Sequence, residues 1–254
     1  QAQARPRPFF PFCSTGYRPI RPHMTGEAQP RSGFWHSRPA MAGLVVFVLA
    51  ATVVMPGSGI LAAFVVVVLA ALFGRRQGSL QDLGLRAPPS WPRLLATTAA
   101  YGAGLQLLFA AVIEPLLTRW TGTPIDMSAF ESMRGDAGVY LLVLVLGWVV
   151  GGFLEELALR GFVVGRLRWL LGSGPAATWF AVTLSATAFG IAHTYQGVTG
   201  VLSTGLAGLA FGVIFVRHGF NLWYPVFTHG FMNTLGITAV YLNADRALQG
   251  VGPF

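Results

Sequence analysis

The sequence predicts an all-α protein, a polytopic bundle of transmembrane helices, from three observations. The 254 residues are 54% hydrophobic and only 10% charged, and the mean hydropathy of +0.59 is typical of multi-spanning membrane proteins. Seven apolar runs follow one another from residue 41 onward. The arginines lie in the N-terminal tail and between those runs, which suits membrane topology and argues against a nucleic-acid partner despite the net charge of +8.

The first 38 or so residues differ in composition from the rest. Pro and Arg recur through QAQARPRPFFPFCSTGYRPIRPH with no helical period, so we expect a disordered tail or an extension that precedes a start at Met24. A signal peptide fits less well, because the first apolar run begins only near Met41 and no small-residue cleavage pattern follows it. The single cysteine, Cys13, leaves no disulfide framework or cysteine metal cluster.

The apolar runs define a predicted membrane domain at residues 39–243, followed by a short C-terminal tail at 244–254. A spanning helix needs about 20 apolar residues, or somewhat fewer where the bilayer adapts. The first two runs are short and meet at the Pro-Gly-Ser-Gly sequence 56–59, which predicts a helical hairpin. We expect seven spans, or eight if one more lies near the tail. The runs cover about 41–55, 59–74, 95–117, 138–160, 176–196, 198–217 and 222–243.

The arginines between the runs predict the orientation in the membrane. By the positive-inside rule, the loops that are rich in arginine face the cytoplasm. The loop between the third and fourth runs carries both signs of charge with no basic excess. The N-terminus is then inside and, with seven spans, the C-terminus is outside. The arginines expected on the cytoplasmic side are Arg75, Arg76, Arg86, Arg93, Arg166, Arg168 and Arg217.

The stretch GGFLEELALRGF, residues 151–162, places three charges inside an apolar run. Intramembrane charges are costly and usually face a partner or a water-filled cavity. Glu156 and Arg160 are four residues apart and about 40° apart around an α-helix, in the favourable order for an ion pair. Glu155 points about 100° away from Glu156 and has no such local partner. It shares a helical stripe with Gly147 and Gly151, which favours a cavity beside it.

Two later runs carry the side chains that Glu155 could face. Phe189 and His193 are four residues apart in the fifth run, and so are His229 and Asn233 in the seventh. A lone His or Asn in a membrane helix often serves packing alone, but the combination favours a site. Counting along straight helices puts Glu155 and His193 within about 3 Å of one level. The same count puts His229 about 12 Å nearer the cytoplasm.

These motifs resemble those of the CPBP family, which includes CAAX-type prenyl endopeptidases and Abi-like bacteriocin-processing enzymes. EELALR matches its Glu-Glu-x-x-x-Arg motif, and Phe189 with His193 matches its Phe-x-x-x-His motif. His229 with Asn233 matches its His-x-x-x-Asn motif, in the family's order. The resemblance covers about residues 139–236. It implies an intramembrane endopeptidase of packed helices with a cavity open toward the cytosol.

Carried over to these positions, the resemblance implies a role for each residue. Glu155 would activate the attacking water, with His193 assisting. His229 and Asn233 would stabilise the oxyanion. A carboxylate kept from bulk water can act as a base near neutral pH, and an amide can donate a hydrogen bond to the developing charge. The supporting residues would be Glu156, Arg160 and Phe189.

Metal dependence stays open at this point. Glu155, His193 and His229 would form a His₂Glu set similar to catalytic zinc sites, able to hold a divalent metal such as zinc. The spacing lacks the local His-Glu-x-x-His signature. The family has been described both as metal-dependent and as using glutamate and water alone, and we favour the metal-free mechanism.

The sequence therefore predicts a peptidase that hydrolyses a peptide bond of a membrane-associated protein or peptide. The alternative is a non-catalytic membrane protein, an immunity factor or scaffold, that keeps the motifs as a polar core. The lack of lysine indicates a GC-rich bacterial gene. We expect a multi-pass protein of a bacterial plasma (inner) membrane, with its active site toward the cytoplasmic side and the lipid bilayer around it.

Overall fold

The computed structural model describes residues 37–54 and 80–245. The predicted tail, the predicted second run with its hairpin turn, Arg75, Arg76 and the residues after 245 lie outside the described residues. Every regular element in the described ranges is helical, which confirms the all-α prediction.

Six main helices and three short 3₁₀ turns are present in the described part of the chain. Their bounds are α1 Arg38–Val54, α2 Trp91–Thr121, α3 Ala137–Leu171, α4 Pro175–Ile191, α5 Gly197–Arg217 and α6 Trp223–Tyr241. The 3₁₀ turns are Leu80–Leu83, Ser128–Met133 and Thr194–Gln196.

The helix starts follow from local sequence. The Ser90 hydroxyl accepts a hydrogen bond from the Arg93 N–H at 3.4 Å at the start of α2. Asp136 caps α3 by accepting from the backbone N–H groups of Gly138 and Val139, at 2.8 and 2.9 Å. Pro175 occupies the first turn of α4. These residue types satisfy, or do without, the backbone donors that a helix start leaves free.

Helix α3 changes its hydrogen-bonding pattern along its length. It is α-helical over Ala137–Leu146, π-helical over Gly147–Glu155 and again over Leu157–Val164, and α-helical over Gly165–Leu171. A π-helix bonds each residue to the fifth one along, and such segments occur mostly as short insertions that are frequent at functional sites. The angles expected for a regular α-helix therefore do not apply to the charged centre of α3.

The two halves of α3 have different surroundings. Leu141, Leu142 and Val145 in its first half are 58%, 59% and 58% exposed, whereas all eight residues of Leu157–Val164 are buried. Apolar side chains that point outward suit contact with lipid, and a helix buried on all sides belongs to the core of a bundle. Helix α6 packs against α2 and the first half of α3, and α4 packs against α5 and the second half of α3.

Within residues 37–54 and 80–245, three helices are long and apolar enough to cross a membrane, namely Trp91–Thr121, Ala137–Leu171 and Thr194–Arg217. Arg38–Val54 and Pro175–Ile191 are shorter apolar helices. The protein is therefore a helical membrane protein by the length and composition of its helices, and the count of seven or eight spans stays a prediction.

Arginines gather at one end of the described bundle. Arg38 donates to the Leu170 carbonyl at 2.9 Å, and Arg86 donates to the Phe220 carbonyl at 3.0 Å. The Arg168 guanidinium lies 3.7 Å from the centre of the Phe220 ring. Arg86 and Arg168, which the sequence assigned to one side of the membrane, thus both contact Phe220. We call this the arginine-rich end.

The other end carries both signs of charge. Arg134 forms two hydrogen bonds of 2.7 Å to the Asp245 carboxylate. The Asp126 N–H donates to the Gln196 carbonyl at 3.0 Å, which ties the loop after α2 to the turn before α5. We call this the mixed-charge end, and the orientation of the two ends in the membrane stays a prediction.

Candidate active site

The two glutamates near the middle of α3 have different environments. The Glu156 side chain is fully buried, whereas Glu155 is only partly buried. A buried carboxylate in an apolar bundle needs a partner of opposite charge or several hydrogen bonds. The partners of Glu156 come from α3 itself and from α6.

The first partner of Glu156 is Arg160, as the sequence predicted. Arg160 Nη1 donates to Glu156 Oε1 at 3.0 Å, and both side chains are at most 1% exposed. Arg160 Nη2 donates to the carbonyl of Gly208 on α5 at 2.7 Å. The guanidinium carbon lies 5.1 Å from the ring centre of Phe189 and 5.6 Å from that of Phe211, within the range of cation–π attraction. The arginine thus connects α3, α4 and α5.

Gly208 leaves the room that this arginine needs. A Cβ atom at Gly208 would lie 2.9 Å from Phe189 Cδ1 and 3.0 Å from Arg160 Nη2. Gly208 and Gly212 are spaced four residues apart in α5, a pattern that allows close helix approach. That spacing is visible in the sequence, but the role of Phe211 between the two glycines was missed.

The second partner of Glu156 is His229 on α6, at 3.0 Å from His229 Nδ1 to Glu156 Oε1. The His229 ring stacks on Phe211 with 4.5 Å between centres and 21° between planes, and it meets Phe189 edge-on at 5.8 Å. The sequence did not reveal this contact. The straight-helix count placed His229 at another level, and the expected geometry did not include the π-helical turns of α3.

Asn233 lies one turn beyond His229 and also reaches α3. Its Nδ2 donates to the Gly147 carbonyl at 2.9 Å. A Cβ atom at Gly151 would lie 2.6 Å from Asn233 Nδ2 and 3.5 Å from His229 Nε2. Gly147 and Gly151, the glycines that predicted a cavity, therefore face Asn233 and His229 of α6. These polar side chains occupy the space that the glycines leave.

His193 follows α4 in the turn that precedes Thr194–Gln196. Its Nδ1 lies 2.8 Å from the Phe189 carbonyl, and its ring centre lies 4.7 Å from that of Phe189 and 5.6 Å from that of Tyr195. Phe189 thus lies between the two histidines, and Tyr195 is a neighbour of the site that sequence reasoning missed.

The proposed metal set does not come together in this arrangement. Among the described residues, no group of three or more His, Cys, Asp or Glu side chains is placed to hold a metal ion. His229 Nδ1 contacts Glu156, the other glutamate, and His193 Nδ1 contacts a backbone carbonyl. The residues present do not fit a His₂Glu metal centre, and we derive no step through a metal.

Comparison with protein families gives a match to the second half of the chain. The profile of a family described as "Type II CAAX prenyl endopeptidase Rce1-like" matches residues 137–235. This segment contains α3, α4, α5 and most of α6, and with them every site residue described above. No curated protein and no solved structure matches the chain.

Proposed function

We propose that the protein is an intramembrane endopeptidase that uses Glu155 to activate water. Through the match over residues 137–235, the chain belongs to the CPBP/CAAX protease family. At the coarse level the family implies a hydrolase, a membrane and a protein substrate. We further propose that the reaction is the hydrolysis of a peptide bond in a membrane-associated protein or peptide.

One observation carries the proposal. His229 and Asn233 on α6 both approach α3 at Gly151, one turn before Glu155. A histidine nitrogen and an amide donor are thus close together on α6, and Glu155 follows Gly151 by four residues on the helix that they approach. Such a set combines a general base with a hydrogen-bond donor for the substrate carbonyl. A packing role for each residue alone would not require this combination of types.

The proposed chemistry is a water attack on the scissile carbonyl. Glu155 takes one proton from the water as the water oxygen bonds to the carbonyl carbon, and the carbonyl oxygen becomes negative. Asn233 donates an N–H to that oxygen. The tetrahedral species then collapses, the C–N bond breaks, and the proton held by Glu155 passes to the departing amine. Glu155 is restored as a carboxylate, so the protons balance.

His193 is proposed to orient the water. A backbone carbonyl can only accept, so the contact with Phe189 means that His193 Nδ1 carries a hydrogen. In the neutral ring, Nε2 then has a lone pair and can accept a hydrogen bond from the water. Phe189 therefore fixes both the position and the tautomer of His193, which gives the Phe-x-x-x-His spacing a physical reason.

We propose a bacterial plasma (inner) membrane as the location, with the arginine-rich end in the cytoplasm and substrate entry from that side. The charge separation between the two ends of the bundle supports this orientation. Substrate entry from the cytoplasmic side is what the resemblance to the family implies.

The experiment that tests this function compares the membrane-anchored peptides of cells that produce the wild-type protein with those of Glu155→Ala cells. We expect uncleaved precursors to accumulate with Glu155→Ala. The matched control is Glu131→Ala, which removes a carboxylate that is 47% exposed and pairs with Arg134 at the mixed-charge end. Identical peptide sets in all three strains would favour the alternative, a non-catalytic immunity factor or scaffold.

A further inference from the structure

We infer that residues 80–86, which we call the strap, hold the turn between α5 and α6 against α3 and thereby set how far α6 is shifted along α3. This shift decides whether His229 reaches Glu156 and whether Asn233 reaches Gly147. The strap therefore supplies positioning residues for the site, although it contributes none of the reacting groups. For its effect on catalysis, the inference rests on the proposed function.

The first step concerns the hydrogen bonds between the strap and the turn. The N–H of Leu222 donates to the Gly84 carbonyl at 2.9 Å. Arg86 Nη2 donates to the carbonyls of Gly219 and Phe220, which follow α5. Gly84 has a φ of +85°, and a Cβ atom there would lie 2.6 Å from the Phe220 oxygen. Glycine is therefore required at this position, both for the left-handed backbone and for the close approach.

The second step concerns the shape of the turn. Phe220 has a φ of +59°, in the left-handed region, which is an outlier for a bulky side chain. A backbone of this kind persists only where surrounding contacts hold it in place. The hydrogen bonds to Arg86 and from Leu222 to Gly84 are such contacts. The turn therefore depends on the strap for its shape.

The third step concerns Asn221, a buried residue of the turn that links the strap to the start of α6. Its Nδ2 donates to the Arg86 carbonyl at 3.1 Å, and its Oδ1 accepts from the Trp223 N–H at 3.1 Å. A carbonyl can only accept and an N–H can only donate, so these partners fix which amide atom is the nitrogen. One side chain thus joins the end of the strap to the first residue of α6.

The fourth step concerns the contact between the strap and α3. A Cβ atom at Gly161 would lie 2.8 Å from the Leu83 oxygen and 3.4 Å from Leu222 Cδ2. Leu83 and Leu222 are both buried, so the strap, α3 and the start of α6 meet at Gly161. One turn further along α3 there is more room, since a Cβ atom at Gly165 would lie 3.9 Å from the Asp82 oxygen.

The fifth step connects this meeting point with the site. Helices α3 and α6 run antiparallel from it, and their further contacts follow in order. His229 Nδ1 lies 3.0 Å from Glu156 Oε1, and Asn233 Nδ2 lies 2.9 Å from the Gly147 oxygen. A slip of α6 by one residue is about 1.5 Å, which takes both contacts beyond hydrogen-bond distance. A displacement at the strap therefore reaches both polar residues of α6.

Two matched substitutions on α3 test the strap. Gly161→Ala places a methyl group against the strap backbone, whereas Gly165→Ala makes the same change where there is room. Spin labels on cysteines at the exposed Leu142 of α3 and Leu235 of α6, in a Cys13→Ser background, report the position of α6 by pulsed electron paramagnetic resonance on the full-length protein in detergent. We expect the distance distribution to shift or broaden in Gly161→Ala and to stay unchanged in Gly165→Ala.

Asn221→Asp is a second variant that keeps the shape of the side chain. Aspartate still accepts from the Trp223 N–H but cannot donate to the Arg86 carbonyl. It therefore removes the bond to the strap and leaves the bond to α6 in place. We expect the same change in the label distances as in Gly161→Ala. Wild-type distances in both variants would overturn the inference.

Kinetics on the folded fraction, with a membrane peptide identified by the proteomic comparison, give a second readout. We expect kcat per folded molecule to fall by about 10–10²-fold in Gly161→Ala and Asn221→Asp, because a displacement of about 1 Å at reacting groups has an effect of this size. KM should stay near the wild-type value, and Gly165→Ala should behave as the wild type. A strap that serves stability alone would lower the yield but leave kcat unchanged, which would contradict the inference. If the wild type cleaves nothing, the proposed function fails, whereas the label distances still decide whether the strap positions α6.

Discussion

The Cβ position of Gly151 lies 2.6 Å from Asn233 Nδ2, closer than a methyl group can approach an amide nitrogen. Gly151→Ala should therefore displace the amide from the Gly147 carbonyl and from the substrate. We expect kcat to fall by about 10²–10³-fold, the usual cost of losing one oxyanion donor. The helix should persist, because the side chain that must move is at its flexible end.

The control for this substitution is Gly104→Ala on α2, where an added Cβ meets no atom of the described residues within 4 Å. It should leave kcat unchanged. Steady-state cleavage rates, normalised to folded protein from size-exclusion chromatography, provide the comparison. Wild-type activity in Gly151→Ala would show that Asn233 does not act through its present position.

The two adjacent glutamates should differ in their effect on folding. Glu156→Gln leaves Arg160 without its charge partner in a buried site, and removing one member of a buried pair costs about 3–5 kcal/mol. Glu155 is only partly buried and has no ion pair among the described residues, so Glu155→Gln should cost less. We expect a lower yield of monodisperse protein for Glu156→Gln. The division of roles would be wrong if both variants gave the same yield and the same melting temperature.

The ion pair between Glu156 and Arg160 was predictable because it depends only on local spacing. The contact between Phe189 and His193 was predictable for the same reason. The hydrogen bond from His229 to Glu156 was not, because it depends on how far α6 is shifted along α3. The sequence count assumed straight α-helices, and α3 is π-helical through Gly147–Glu155 and Leu157–Val164.

The approach of His229 and Asn233 to Gly151 could be predicted only in part. Glycines at four-residue spacing indicated free space on one face of α3, but they did not indicate which helix would fill it. Likewise, nothing in the sequence marked Phe211 as the ring under His229, since an aromatic residue in an apolar helix has many packing roles. The seven-span count depends on a hydropathy pattern, part of which lies outside the described residues.

The orientation predicts which positions a membrane-impermeant thiol reagent can reach in intact cells. In a Cys13→Ser background, cysteine at Arg93 or Ser173 should stay unlabelled, because these positions lie toward the arginine-rich end. Cysteine at Ala129, in the exposed turn of the mixed-charge end, should react readily. Permeabilised cells provide the control for reactivity. The reverse pattern would invert the assigned topology.

Chelation tests whether the mechanism depends on a metal. In the structure His229 contacts Glu156, and no set of three ligands is assembled among the described residues. We therefore expect cleavage by the purified protein to be unaffected by a strong chelator and by added zinc. A zinc enzyme would lose activity on chelation and regain it with metal. That result would require the two histidines and Glu155 to rearrange around the ion.

The most direct test of the central claim is the cleavage rate of purified Glu155→Gln protein on a membrane-peptide substrate identified by the proteomic comparison. Glutamine keeps the shape of glutamate but cannot take a proton from water. We predict that the variant folds, binds the peptide with near-wild-type affinity and shows no cleavage above background. Cleavage at the wild-type rate by folded Glu155→Gln protein would contradict the assignment of Glu155 as the base.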